Sequence, residues 1–167
     1  MFRLFFIIPL MLTSCAGYQL GGSKPSHLAH VRTLHVPLFK NDTLFFRAES
    51  HATNSAVDAL TRDGTYGIAS AETADATLIG CIDSIKYNQV STSREDSIRS
   101  EELSIEIIIS WTLLDANDSL RILEKGISEG RSTFFARNNI HIARNNALPD
   151  TLRRACESMT TRLADGF

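Results

Sequence analysis

The chain has 167 residues, of which 43% are hydrophobic and 22% charged, and its formal net charge is −2. These values are typical of one ordinary globular domain, long enough to bury a core. The near-neutral charge offers no basic surface for a polyanion, so nucleic acid is disfavoured as a partner.

The N-terminus has the layout of a secretory signal peptide. Residues 2–12 are mostly apolar, Arg3 supplies the positive charge near the start, and small residues follow. The stretch Leu12-Thr13-Ser14-Cys15 resembles the bacterial lipobox, in which the cysteine is acylated and becomes the first residue of the mature protein. We therefore expect a lipoprotein signal peptide over residues 1–14 and a lipid on Cys15. An ordinary cleaved signal is the alternative, because the apolar run is too short for a transmembrane helix.

A linker and then a single domain are expected after the cysteine. The residues that follow it contain several Gly, Ser and Pro and show no hydrophobic period. This composition predicts a lipid-anchored tether over residues 15–30. Periodic segments fill the remainder, so we assign residues 31–167 to one domain.

The first half of the domain reads as a strand followed by a helix. Residues 31–39 are rich in β-formers, and Pro37 should lie at the strand end or at a sheet edge, because it cannot donate a ladder hydrogen bond. Apolar residues then recur at helical spacing over residues 44–62, with alanine prominent in the stripe. Gly64 suits the left-handed position after this helix.

Three further strands follow a short extended piece at residues 65–71. The first covers residues 75–90, and a change of phase between residues 80 and 84 indicates a β-bulge. A polar loop leads to residues 99–115, where six apolar residues alternate strictly with mostly polar ones. Residues 120–136 form the last strand, with a kink expected around Gly126.

The chain closes with a second amphipathic helix. We expect it over residues 146–164, with Pro149 in its first turn and a polar connection at residues 138–146. The order of elements predicts an α+β fold: a two-layer sandwich in which a mixed four-stranded sheet carries both helices on one face. The other sheet face, which includes Glu102 and Glu106, should be relatively polar.

No residue pattern in the sequence supports catalysis, a metal or a cofactor. The five histidines form no HExxH motif, and the chain contains no nucleophile elbow or phosphate-binding loop. Glu102 and Glu106 would lie roughly 13 Å apart along a strand, too far for a retaining carboxylate pair. The apolar patterns around Cys81 and Cys156 favour two buried free thiols, although the sequence leaves a disulfide between them open.

Three stretches together resemble one family. Cys15-Ala16-Gly17-Tyr18 is similar to the mature start of LptE lipoproteins. The run from Val31 to Thr43, with Val36-Pro37-Leu38-Phe39 at its centre, resembles the first strand of that family. The run from Ala74 to Gly80 resembles a later strand. The Ala16 insertion is a mild departure from the family pattern, and residues 45–46 and 138–146 have no counterpart in it.

The resemblance implies a non-catalytic outer-membrane lipoprotein that plugs an LptD-type β-barrel and helps it to assemble. This pair delivers lipopolysaccharide to the outer leaflet, so the expected partners are an LptD-like barrel, lipopolysaccharide and, through the lipid on Cys15, the membrane. The expected location is the periplasmic side of the outer membrane or the barrel lumen. Basic side chains suit an anionic glycolipid, which makes Lys86, Arg94 and Arg99 candidates for its contact. The alternative is a tethered lipid- or glycan-binding or scaffolding lipoprotein of another envelope complex.

Overall fold

The computed structural model describes residues 24–91, 101–136 and 139–166. A single 3-10 turn, Ser26–Leu28, precedes the main elements. The strands and helices are β1 Thr33–His35, β2 Lys40–Asn41, α1 Ala48–Asp63, β3 Gly67–Ile68, β4 Ala76–Ser91, β5 Glu101–Asp115, β6 Ile122–Ala136 and α2 Ile140–Asp165. Neither helix within these ranges is both long and apolar enough to cross a membrane.

The sheet is mixed and has six strands in the order β3-β1-β4-β5-β6, with β2 also paired to β4. β1 and β2 run parallel to β4, and β4, β5 and β6 form an antiparallel meander. The α+β class, the mixed sheet and the two helices are confirmed, but the predicted count of four strands is wrong. The single strand expected over residues 31–39 is two short ones, because Pro37 interrupts the ladder and pairing resumes only at Lys40. The extended piece at 65–71 contributes the sixth strand, β3.

Helix α1 begins four residues later than predicted. The Asn41 side chain prevents an earlier start: its Nδ2 donates to the Phe45 carbonyl at 2.8 Å, and its Oδ1 accepts from the Thr43 N–H at 3.0 Å. These bonds hold residues 41–45 as a turn, which competes with helix formation. The helix ends as expected, with Gly64 in the left-handed conformation at φ 79°.

Helix α2 begins six residues earlier than predicted, so the expected polar connection at 138–146 is wrong over its described part. Asn139 caps the helix, and its Oδ1 accepts from the N–H groups of His141 and Ile142 at 3.1 and 3.2 Å. Pro149 therefore lies inside the helix rather than in its first turn. A strong cap and a buried C-terminal half outweigh the hydrogen bond that this proline removes.

The long strands follow the predicted patterns closely. Six β5 residues alternate as buried positions, from Leu103 to Leu113. The register of β4 against β5 shifts between Ile82 and Ser84, which confirms the β-bulge. The kink was expected around Gly126, where pairing runs without interruption; the register of β5 against β6 shifts instead between Glu124 and Ile122. Gly126 leaves space for the Trp111 ring, which lies 2.5 Å from where a Cβ would be.

Both helices pack on the same face of the sheet and share one core with it. The closest approach is at Gly130 of β6, where a Cβ would lie 2.2 Å from the Thr151 carbonyl oxygen and 2.7 Å from the Ala155 nitrogen. A side chain at this position would displace the helix backbone. The absence of a Cβ on β6 therefore sets how closely α2 seats on the sheet.

The two described cysteines lie on opposite faces of the sheet. Cys156 is fully buried among the helices, where its thiol lies 3.4 Å from the Ala52 carbonyl, and burial raises its pKa to about 12. Cys81 lies on the other face, opposite Ser110. Both thiols are free. The sheet between them rules out the disulfide that the sequence left open.

Residues 24–30, the end of the predicted tether, lie against the domain. Leu28 is fully buried, and the Lys24 Nζ donates to the Val31 carbonyl at 2.7 Å and lies 4.3 Å from the centre of the Tyr66 ring. Tyr66 in turn donates to the Leu163 carbonyl at 2.9 Å. The chain therefore enters the domain beside the C-terminal end of α2. Cys15 and the rest of the tether lie outside the described residues.

Candidate interaction surface

The described helices leave the opposite face of the sheet uncovered. Residues paired across β4, β5 and β6 point to the same side, so the register defines its members. We call it the open sheet face, and its residues are Thr77, Ile79, Cys81, Ser84, Lys86, Asn88, Glu102, Ser104, Glu106, Ile108, Ser110, Thr112, Leu114, Ile122, Lys125, Ile127, Glu129, Arg131, Thr133 and Phe135. Three strands of about 14 residues give it an area of roughly 650 Å².

A row of charges crosses the middle of the open sheet face. Lys86, Glu106 and Arg131 stand opposite one another on the three strands. The Arg131 Nη2 lies 3.2 Å from the Glu106 Oε2, and the Arg131 guanidinium also contacts Glu129. Exposed pairs of this kind add little stability. They do neutralise one another, so this part of the face presents polar groups without a net field.

Apolar side chains occupy the part of the face nearer the β5–β6 turn. Ile79, Ile108 and Leu114 are half-buried, whereas Ile122 and Ile127 are 54% and 58% exposed. Exposed apolar side chains grouped beside polar ones are a feature of surfaces that bind other proteins. The expectation of a relatively polar face therefore holds for the charged row but misses this apolar group.

A small polar cluster lies at the edge of the open sheet face. The Cys81 thiol donates to the Asp42 carboxylate at 3.4 Å, and the Ser110 hydroxyl donates to the Asp83 carboxylate at 2.8 Å. One ligand atom each from Asp42, Cys81 and Asp83 lies within 4.8 Å of the others. Burial, reinforced by Asp42, raises the pKa of the Cys81 thiol to about 11. The thiol is thus protonated at neutral pH and already engaged as a donor, so we assign no metal to this cluster.

A cleft of about 680 Å³ lies where β5, β6 and α2 meet. Its lining includes Arg131 and Arg154 together with Phe134. Both arginines are paired, Arg131 with Glu106 and Arg154 with Asp150 at 2.9 Å. Hydrogen bonds from Arg154, which contributes most, and from Arg153 hold the pKa of Asp150 below its usual range. The cleft is therefore polar and internally neutralised.

The structure places only one of the predicted glycolipid-contact residues. Lys86 is exposed on the open sheet face, opposite Glu106. Arg94 and Arg99 lie outside the described residues. The sequence reasoning missed Arg131 and the exposed isoleucine Ile127, although a period of two along β6 could have assigned both to one face.

Comparisons with known proteins agree on the fold and point to one family. The family model described as LptE, lipopolysaccharide-assembly, matches residues 31–165. No curated protein matches the chain significantly.

Solved structures similar to this chain are distant in sequence. A PelC dodecamer from Paraburkholderia phytofirmans has 14% identity and a TM-score of 0.51, and the match covers 86% of this chain and 94% of that one. The hypothetical protein CT253 from Chlamydia trachomatis has 8% identity and a TM-score of 0.55, and the match covers 80% of this chain and 95% of that one. A minor lipoprotein from Acinetobacter baumannii has 7% identity and a TM-score of 0.53, and the match covers 80% of this chain and 93% of that one. At these identities the likeness concerns the fold alone.

Proposed function

The chain belongs to the LptE lipopolysaccharide-assembly family, and from this membership we propose that it is a non-catalytic outer-membrane lipoprotein that plugs an LptD-type β-barrel. In this role it would be anchored through Cys15, help the barrel to assemble and take part in placing lipopolysaccharide in the outer leaflet. The observation that carries the proposal is the open sheet face, a large surface on a domain whose helices all pack on the other side.

The size of the open sheet face suits docking on a protein. Its area of roughly 650 Å² approaches the 800 Å² or so that each partner buries in a standard interface. The exposed isoleucines at one end can be desolvated by a partner, which supplies the hydrophobic part of the binding free energy.

The polarity of the same face suits the inside of a barrel. Lumen walls of outer-membrane barrels are polar, and the row of Lys86, Glu106 and Arg131 offers both donors and acceptors to such a wall. Because these charges already pair with one another, docking them against a polar wall would bury no charge without a partner of opposite sign. Burial of an unpaired charge is the costly alternative.

Contact with lipopolysaccharide is assigned to basic side chains around the β4–β5 connection. Lys86 on β4 is exposed, and Arg94 and Arg99 lie in the segment that joins β4 to β5. Guanidinium groups form charge-assisted bidentate bonds with phosphate, which makes the two arginines the stronger candidates.

The test of the barrel proposal is a pull-down from solubilised outer membrane with matched variants. Ile127 on the open sheet face and Ile142 on α2 are both isoleucines, each 58% exposed. We expect Ile127→Asp to lower recovery of the barrel at least about tenfold, because a buried carboxylate without a partner is costly. Ile142→Asp should leave recovery unchanged.

Three results would oppose the proposal in different ways. Equal recovery of the barrel with both variants would remove the open sheet face as its docking surface. Recovery of a monomer that carries bound lipid, with no barrel even for the unaltered protein, would favour the lipid- or glycan-binding alternative. An envelope complex without a barrel would favour the scaffolding alternative.

A further inference from the structure

The loop between β2 and α1 exposes two large apolar side chains. We call residues 42–47 the tip loop. Leu44 is 103% exposed and Phe46 is 90% exposed, whereas Phe45 between them is half-buried. Single exposed apolar residues are common on protein surfaces. Here two large apolar side chains within three positions are almost fully exposed to water, so the unfavourable contact with water is concentrated in one short loop.

The tip loop is held rigidly by its own hydrogen bonds. The Asn41 Nδ2 donates to both the Phe45 carbonyl and the Glu49 carboxylate at 2.8 Å. The Asn41 Oδ1 accepts from the Thr43 N–H at 3.0 Å and from the Thr43 hydroxyl at 2.7 Å. These bonds tie both ends of the loop to one side chain. The outward direction of Leu44 and Phe46 is therefore fixed before any partner arrives.

The loop also contains a strained backbone conformation, which lowers the stability of the fold. Arg47 has φ 63°, the only positive value at a non-glycine among the described residues. This conformation costs about 1–3 kcal/mol. Arg47 occupies the N-cap position of α1, yet its guanidinium has no acceptor with which to cap the helix. The strained residue turns the chain from the exposed tip into the helix.

Phe45 points inward and anchors the loop to the domain. Its ring lies 5.6 Å from that of Tyr87, which in turn packs edge-on against Phe134 at 6.2 Å. The aromatic row spans from the loop to β6 on the helix side of the sheet. Because Phe45 is committed to this row, Leu44 and Phe46 on either side of it are left for contact outside the domain.

The base of the tip loop adjoins the open sheet face. The Asp42 N–H donates to the Ile82 carbonyl at 3.1 Å, and the Asp42 carboxylate accepts from the Cys81 thiol. Cys81 belongs to the open sheet face, so the two surfaces are continuous where β2 pairs with β4. A protein docked on that face would also reach the loop.

We propose that Leu44 and Phe46 are a preorganised anchor pair that inserts into an apolar pocket of the barrel partner. This inference rests on the proposed function and assigns the loop to the same partner. Aromatic and aliphatic anchors that need no ordering on binding contribute most of the energy in many interfaces. A hollow of about 330 Å³ beside the two side chains, lined also by Arg47 and Glu49, can receive a side chain in return.

The test uses two double variants. The first, the loop pair, combines Leu44→Ser and Phe46→Ser, and the second, the matched pair, changes two exposed apolar residues elsewhere. Leu120→Ser with Ile142→Ser removes a leucine and a second large apolar side chain that are 91% and 58% exposed. Each lipidated protein is used to recover the barrel, identified by mass, from solubilised outer membrane. We expect recovery to fall at least about tenfold for the loop pair, from the loss of two anchors. The matched pair should recover as much barrel as the unaltered protein.

The outcomes separate this inference from the proposed function. If the unaltered protein recovers no barrel, both are wrong. If it does, and the loop pair recovers as much, only the anchor assignment is wrong. The assignment is also wrong if the loop pair keeps the barrel but loses contact with vesicles of phosphatidylethanolamine and phosphatidylglycerol, since the loop would then face lipid. An unchanged melting temperature for both pairs shows that the fold is intact.

Discussion

Replacement of Gly130 by alanine should separate α2 from the sheet. The new Cβ would lie 2.2 Å from the Thr151 carbonyl oxygen and 2.7 Å from the Ala155 nitrogen. Both are backbone atoms of α2, so no side-chain rotation can relieve the overlap. Since ordinary contact begins at 3.4 Å, the helix must retreat by about 1 Å.

The cost of this retreat follows from what α2 buries. Leu152, Ala155, Cys156 and Met159 are all fully buried along its inner side. A gap of about 1 Å forfeits up to half of the dispersion energy of each contact. Overpacking typically costs about 1–3 kcal/mol, and we expect the upper end because backbone atoms resist. For a domain of this size, about 3 kcal/mol lowers the melting temperature by roughly 10 °C.

Thermal unfolding followed by circular dichroism measures the effect, with Gly67→Ala as the control. A Cβ at Gly67 would meet the Thr33 Cγ2 at an ordinary 3.6 Å, so this variant should stay within about 0.5 kcal/mol of the unaltered protein. If Gly130→Ala melts at the same temperature as Gly67→Ala, the close seating of α2 on β6 is incorrect.

Three further predictions concern a carboxylate, two arginines and the anchor. The Asp75 Oδ2 accepts from the N–H groups of Arg32 and Thr33 and from the Thr33 hydroxyl, and the Arg32 N–H contributes most to its lowered pKa. The stability that Asp75 contributes is thus fully present above its unfolded pKa near 4 and is lost as the pH falls through its lower folded pKa. Between pH 5 and 3 the melting temperature of Asp75→Asn should therefore fall less than that of the unaltered protein. An equal fall for both proteins would contradict this. Arg94→Ala with Arg99→Ala should weaken binding of purified lipopolysaccharide, and unchanged affinity would remove the assignment. Cys15→Ser should leave the circular dichroism spectrum unchanged but release the protein from membranes, and retention on membranes that lack the barrel would refute the anchor.

The elements with a strong local pattern were predictable from the sequence. The alternation in β5 fixes which face is buried, since a one-residue slip would expose the six apolar residues from Leu103 to Leu113 that alternate along it. The bulge in β4 was visible as a change of phase, which the register shift after Ile82 confirms. Gly64 marked the end of α1 because a left-handed residue is required there.

The starts of the helices were not predictable, because side-chain hydrogen bonds decide them. Asn41 delays α1 through its bonds to Phe45 and Glu49, yet apolar periodicity alone extends the helix back to residue 44. Asn139 advances the start of α2, although the polar residues after it suggested a connection and Pro149 suggested the first turn. Polar side chains near a helix terminus can favour either outcome, and only the tertiary contacts choose between them.

The candidate surface depends on register, which the sequence leaves open. The charges of Lys86, Glu106 and Arg131 become neighbours only because three strands align them. The strand pattern assigned Glu106 to the face away from the helices, but it could not say which residues would stand opposite. The tip loop was hidden for another reason: residues 44–46 look helical by apolar spacing, and their exposure depends on the turn that Asn41 stabilises.

The length of β4 separates the point where the described chain enters the domain from the connection between β4 and β5. The described chain begins at Lys24 beside Val31, close to where β1 pairs with the start of β4. β4 has 16 residues and so spans about 50 Å. The two ends are thus farther apart than the apolar band of an outer-membrane barrel is tall, about 25 Å. Under the proposed function, a domain lying lengthwise in the lumen would place the entry of the tether at Lys24 and the connection from β4 to β5 toward opposite ends of that band.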